Sequence, residues 1–298
     1  MVAGTAFASF AGAATSRGKL MPSFPIVAAI QMCSSDDVDD NLKMAALLIE
    51  KASEQGARLI VLPEMFALMS SEPTAKIAIK ESLGQGKIQN FLSEQARKKG
   101  IYLVGGTILI AANEEKMNAA CLVYNDQGIC IAHYNKIHLF DVTLPNNETH
   151  HESEHIQAGN ELIIVDTPFG KIGLAVCYDV RFPELFRSLF HRGAEMIVLP
   201  SAFTMTTGKA HWEVLTRARA IENFCYLIGA CQGGDHVNGR KTYGHSLIIE
   251  PWGNIVSQLA NQEPGIICAE LDLNKIREAR SAIPVKEHTK IFIDNELF

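Results

Sequence analysis

From Ile26 onward the chain alternates short β-rich apolar runs with amphipathic helical stretches, and this alternation constrains the fold more than any other feature of the sequence. Runs of both kinds bury their apolar faces together only in a layered α/β domain. Strands are predicted at 26–32, 58–62, 101–109, 118–124, 129–135, 162–166, 171–176, 195–199, 226–231, 244–250, 254–258 and 265–270. Helices are predicted over 39–55, 87–99, 183–193, 208–224 and 273–281, the first carrying Leu42, Ala45, Ala46, Ile49 and Ala52 on one face. Asn125-Asp126-Gln127-Gly128 and Trp252-Gly253-Asn254 read as turns between strands. Gly56-Ala57-Arg58-Leu59-Ile60-Val61-Leu62-Pro63 is echoed by Gly193-Ala194-Glu195-Met196-Ile197-Val198-Leu199-Pro200, each after a helix, so two equivalent helix–strand units are expected. Glu64 and Ser201 follow the two prolines, where open α/β sheets bind ligands.

No Pro- or Ser-rich linker interrupts the chain after residue 21, and a single domain over 21–298 is expected. Residues 1–20 are mostly Ala, Gly, Ser and Thr, with Arg17 and Lys19; a disordered leader is preferred over a mitochondrial transit peptide, with Met21 as a natural start. At 298 residues and 47% hydrophobic composition the chain can bury a large core. The 27 basic residues against 33 acidic give a net charge of -6, which offers no attraction to nucleic acid or an anionic membrane. No apolar stretch reaches the roughly 20 residues of a membrane span. Cysteines 33, 121, 130, 177, 225, 231 and 268 form no C-x-x-C pair, which fits a reducing, cytoplasmic compartment.

Cys177 ends the apolar run Lys171 to Val176 and precedes a turn and a Pro183-initiated helix, a position suited to a nucleophile. A free cysteine in that position is equally a small core hydrophobe until partners are found for it. A thiol needs a base or a positive field, and the oxyanion it creates needs donors. Glu64, at a strand end in an apolar setting, suits a base with a raised pKa, and Lys136 in Tyr134-Asn135-Lys136-Ile137-His138-Leu139 offers a cation. Each of the two alone also reads as an ordinary surface residue. His151-Glu152-Ser153-Glu154-His155 spells H-E-x-x-H, but its polar surroundings argue against a zinc helix through His151 and His155 and for a loop beside the site. No phosphate loop or dinucleotide fingerprint occurs, so neither a metal nor a cofactor is expected.

Leu62-Pro63-Glu64, Tyr134 to Leu139 and Gly173-Leu174-Ala175-Val176-Cys177-Tyr178-Asp179-Val180-Arg181-Phe182-Pro183-Glu184 together resemble the nitrilase superfamily of carbon–nitrogen hydrolases, with agreement from Ile26 almost to the end. The resemblance implies a four-layer α-β-β-α sandwich and a catalytic triad of Glu64, Lys136 and Cys177. It also implies a supporting glutamate, matched by Glu152 with Glu154 as the alternative. The oxyanion would fall to Lys136 and the backbone amide of Tyr178. Tyr178-Asp179 stand where nitrile-cleaving members carry Trp and Glu, so the resemblance implies a small linear amide substrate cleaved through a thioester. Within the superfamily the chain is similar to the branch acting on deaminated glutathione, with the omega-amidase branch, acting on α-ketoglutaramate, as near rival. An inactive binding scaffold of the same fold is the remaining alternative. Arg181 is the expected clamp for a keto-acid carboxylate, aided by Thr206 or Thr207. A homodimer through helices 183–193 and 208–224 is also implied.

Overall fold

A computed structural model describes residues 24–291, so the readings of residues 1–20 lie outside the described residues. The chain begins with β1 (Ile26–Gln31), α1 (Val38–Glu54), β2 (Ala57–Val61), α2 (Pro73–Ala78), α3 (Lys87–Lys99), β3 (Tyr102–Val104), β4 (Ile108–Ala111), β5 (Met117–Tyr124) and β6 (Cys130–Asn135). A hairpin of β7 (Asp141–Thr143) and β8 (Thr149–His151) follows, then one 3-10 turn at Glu152–Glu154. The second half runs β9 (Ile164–Thr167), β10 (Gly170–Leu174), a 3-10 turn at Cys177–Arg181, α4 (Pro183–His191), β11 (Met196–Ser201), α5 (Met205–Asn223) and β12 (Tyr226–Cys231). It closes with β13 (Gly233–Asp235), β14 (Lys241–Tyr243), β15 (Leu247–Ile249), β16 (Ile255–Gln258), β17 (Gly265–Glu270), α6 (Leu273–Ala282) and α7 (Val285–His288).

The strands form a seven-stranded sheet, β17-β1-β2-β3-β5-β4 with β6 on β5, and a six-stranded sheet, β16-β15-β12-β11-β10-β9. Strand alternation explains how they stack, because successive side chains leave a strand on opposite faces. Val27, Ala29, Leu59 and Val61 share one core with Leu174, Val198 and Ile228 of the second sheet. Ala28, Ile30, Ile60 and Leu62 point the other way, into a core with Leu42 and Leu48 of α1 and Ile88 and Leu92 of α3. Leu185 and Phe186 of α4 and Trp212 of α5 cover the second sheet's far face. The result is the four-layer α-β-β-α sandwich.

The echoed segments are the central strands of two parallel trios: β2 lies between β1 and β3, and β11 between β10 and β12. On α1, Asp37 caps the first turn by accepting from Asp40 N, and Leu48 is buried where Ala46 was expected to be. The single strand expected over 101–109 is two, broken at Gly105–Thr107. Gly106 has φ +57, and a Cβ there would lie 2.0 Å from the Pro63 carbonyl oxygen, so the chain swings tightly past the residue before Glu64. Among the described residues no helix is long and apolar enough to cross a membrane.

Burial holds several acids in their neutral form. Cys225 is pushed up to about 12 by burial, and Cys121, Cys231 and Tyr124 are raised further by the same cause. A thiol that keeps its proton when folded but loses it when unfolded favours unfolding once the pH passes the ordinary value of 9.0. The folded protein is therefore expected to keep its full Tm below that pH and to lose Tm progressively above it. A calorimetric pH series showing a flat or rising alkaline limb would contradict this.

Candidate active site

The sandwich ends in a cavity of about 180 Å³ between the two sheets and the β7–β8 hairpin. Glu64, Lys136, Glu152 and Cys177 all line it. Glu64 follows the Leu62-Pro63 strand end and is 4% exposed; Lys136 follows β6 and is 2% exposed. Cys177 begins the 3-10 turn after β10 with φ +47, a left-handed backbone that costs a residue bearing a Cβ and persists only where the surroundings impose it. Three segments far apart in sequence thus meet at one point.

Lys136 Nζ donates to Glu64 Oε1 at 2.9 Å and to both Glu152 oxygens, at 3.1 and 2.8 Å. Glu152 Oε2 also accepts from Phe140 N at 2.7 Å, which pins the base of the β7–β8 hairpin, while Glu154 is exposed. Of the two candidates for a supporting carboxylate, Glu152 is the one in contact with Lys136. Cys177 lines the cavity beside Glu64 and the Ala202 backbone, and both act on the ionisation of its thiol. Burial and the Glu64 charge push this thiol well above its ordinary pKa, against the opposing pull of Lys136 and the Ala202 amide. Burial works against the Lys136 ammonium too, but Glu152 and Glu64 outweigh it and hold the lysine firmly protonated. The resting arrangement is a neutral thiol beside a carboxylate–ammonium–carboxylate chain. A thiolate would form only as its proton passes to a neighbour.

A buried carboxylate fixes the thiol's turn. Asp179 is fully buried and accepts from Val176 N at 2.8 Å, Tyr134 Oη at 2.7 Å and His138 N at 3.1 Å, with His138 Nδ1 at 2.7 Å. It ties the Cys177 segment to the Lys136 segment. Arg181 makes no ion pair with Asp179; it lies over the Tyr178 and Phe203 rings, 5.8 and 5.6 Å from their centroids, and meets His211 Nδ1 at 3.3 Å. Tyr178 sits in the first turn of the 3-10 segment, where backbone amides lack helical acceptors.

Arg181 and Thr207 line the cavity, whereas Thr206 does not: its hydroxyl accepts from Asn146 Nδ2 at the hairpin tip, 3.2 Å away. Thr207 Oγ1 is 2.9 Å from Thr204 Oγ1 in the α5 cap. His151 and His155 also line the cavity, but His151 ends a strand and the next three residues form a 3-10 turn, so the two are not stacked on an α-helical face as an H-E-x-x-H zinc site requires. Among the described residues no group of three or more His, Cys, Asp or Glu is arranged to hold a metal. Ser246 is structural: it is fully buried, accepting from Cys231 N and bonded to Gln31 Oε1. Lys76 and Arg240 line the cavity without having been singled out in the sequence; no motif marks them, and only the packing of α2 and of the β13–β14 turn brings them there.

Residues 26–281 match the family described as carbon-nitrogen hydrolase. A human protein named deaminated glutathione amidase is 41% identical over 271 residues, covering 89% of this chain and 82% of its own. A Synechocystis protein of the same name is 40% identical over 273 residues, covering 90% of this chain and 98% of its own. Among solved structures, Saccharomyces cerevisiae Nit3, described as a member of branch 10 of the nitrilase superfamily, superposes with a TM-score of 0.81 at 32% identity over 93% of this chain and all of that one.

Proposed function

The chain belongs to the carbon-nitrogen hydrolase family, and from that premise we propose that it hydrolyses a small linear amide of the deaminated glutathione type through a thioester on Cys177. The observation that carries this reading is the convergence of Cys177, Glu64 and Lys136 on one buried cavity, with Lys136 Nζ donating to the Glu64 carboxylate. In the first half-reaction Glu64 takes the thiol proton as the sulfur attacks the amide carbon, and the carbonyl oxygen becomes an oxyanion held by Lys136 and the Tyr178 amide. Glu64 returns that proton to the amine nitrogen as the carbon–nitrogen bond breaks. In the second half-reaction Glu64 deprotonates water, the hydroxide cleaves the thioester, and the proton passes back to the sulfur as the acid leaves. Glu152 fixes Lys136 and the hairpin together, and Arg181 receives the carboxylate of the acyl portion.

Deaminated glutathione, which carries a keto oxygen in place of the α-amino group, fits the printed names of relatives near 40% identity. A homodimer belongs to the same reading, supported by the exposed Val214 and Ile221 of α5 and the exposed Trp252 beside them. The test is to supply deaminated glutathione and α-ketoglutaramate and to follow dipeptide and ammonia release. Turnover of the first with the higher kcat/KM is expected. A higher value for α-ketoglutaramate would transfer the substrate assignment to the omega-amidase reaction, and no turnover of either would sink the amidase reading.

A further inference from the structure

The cavity carries more positive charge than its own carboxylates use. Four cations, Lys76, Lys136, Arg181 and Arg240, line it together with two carboxylates, Glu64 and Glu152. Both carboxylates are bonded to Lys136, and among the described residues Lys76, Arg181 and Arg240 form no ion pair. An excess of two positive charges inside a pocket of a chain whose net charge is -6 is the complement of a dianion, not of a monoanion.

The unpaired cations fall into two places. Arg181 lies four residues beyond Cys177 in the same 3-10 turn, against Tyr178 and Phe203. Arg240 lies in the turn between β13 and β14, where Nη2 donates to Ala202 O at 2.6 Å, Nη1 meets Met65 Sδ at 3.8 Å and Nε is buried with no acceptor. Lys76 is half-buried on α2. Burial and then the repulsion of Arg240 hold its ammonium below the ordinary lysine pKa, with Glu152 opposing, so the two cations share one region. Cations held together against their mutual repulsion, one with a buried unpaired donor, form a site for an anion.

Building on the amidase reading above, we propose that Lys76 and Arg240 form a second carboxylate station, which takes the carboxylate of the leaving amine fragment while Arg181 takes that of the acyl fragment. The division follows from the elements. Arg181 is on the turn that bears the sulfur and stays with the acyl group until water arrives, whereas α2 and the β13–β14 turn are separate elements that can hold the fragment that departs first. The substrate class is thus an amide with a carboxylate on each side of the scissile bond. Deaminated glutathione belongs to it; a primary amide that releases only ammonia does not.

The experiment compares two deaminated glutathione analogues that differ only at the C-terminus of the leaving dipeptide, one a free carboxylate and the other a carboxamide. The wild-type protein is expected to favour the carboxylate by about 10- to 100-fold in kcat/KM, the range of a charge-assisted contact. Lys76→Met should cut that preference to about 3-fold or less, because the lost contact is the one the carboxamide never made. Lys76→Arg, which keeps the charge, should restore most of it. A wild-type protein that cleaves both analogues equally, or a preference that survives Lys76→Met, overturns the station and leaves the amidase reading intact. A protein that cleaves neither analogue refutes the amidase reading and the station with it.

Discussion

Cys177→Ala is expected to lower amide turnover by at least about 10⁴-fold, the scale seen when the nucleophile of an acyl-transfer site is removed and only binding and oxyanion donors remain. The carboxylates beside the sulfur are not free to replace it, since Glu64 and Glu152 are both bound to Lys136. The variant should fold, because Ala tolerates the φ of +47 as well or as poorly as Cys and the Glu64–Lys136 contact does not pass through the thiol. Substrate should still bind it. The matching positive result is an acyl adduct on wild-type Cys177 in acid-quenched protein, absent from the variant. Residual turnover within about 100-fold of wild type would exclude the thioester route.

Removing the ammonium instead of the sulfur should cost both rate and stability. In Lys136→Met, Glu64, 4% exposed, and Glu152 lose the cation that compensates them. Breaking a buried pair from one side costs about 3–5 kcal/mol, with a Tm drop on the order of 5–15 °C. If Lys136 also holds the oxyanion, kcat falls by a further factor of about 10²–10³. The stability deficit has a predicted sign with pH. Without the lysine, a buried carboxylate gains a raised pKa, so its proton is retained on folding. The deficit should therefore shrink as the pH falls toward the carboxylate range near about 4.3 and be largest at neutral pH. A variant with the wild-type Tm at neutral pH would mean that the observed contacts carry no net stabilisation.

Much of this arrangement can be read in the sequence, and the limits have physical causes. Strands such as β2 and β10 are legible because their last three residues are buried on both faces and the apolar run continues beyond them, after Gly56 and Gly170. The helix α3 is legible at both ends because Gly86 and Gly100 punctuate it. The hairpin β7–β8 is not: Asp141-Val142-Thr143 and Thr149-His150-His151 are three-residue, largely exposed strands with no period to detect. Glu64, Lys136, Glu152 and Cys177 were each marked by a strand end or a motif and do converge on one cavity. Asp179 was visible only as a charge in a motif, since its four contacts come from segments about forty residues upstream and from its own turn. Lys76 and Arg240 carried no signal at all, because what distinguishes them is a place on the cavity wall without an ion-pair partner among the described residues, a property of packing. Thr206 and Thr207 were equivalent on paper; the α5 helix turns one toward the cavity and the other toward the hairpin tip.

Glu64 and Lys136 hang from the seven-stranded sheet and Cys177 from the six-stranded one. The reacting groups are therefore mounted on opposite walls of the molecule, like the jaws of a vice whose screw is the hydrocarbon between them. Val61 and Val198 belong to the core that joins the two sheets and are not among the residues lining the cavity. Interiors packed as densely as crystals pass small dimensional errors on instead of absorbing them. A methyl group lost or gained deep in that filling alters the reach from carboxylate to sulfur, and proton transfer is steep in distance. Rate in such a protein can drift through residues that no map of its pocket would include.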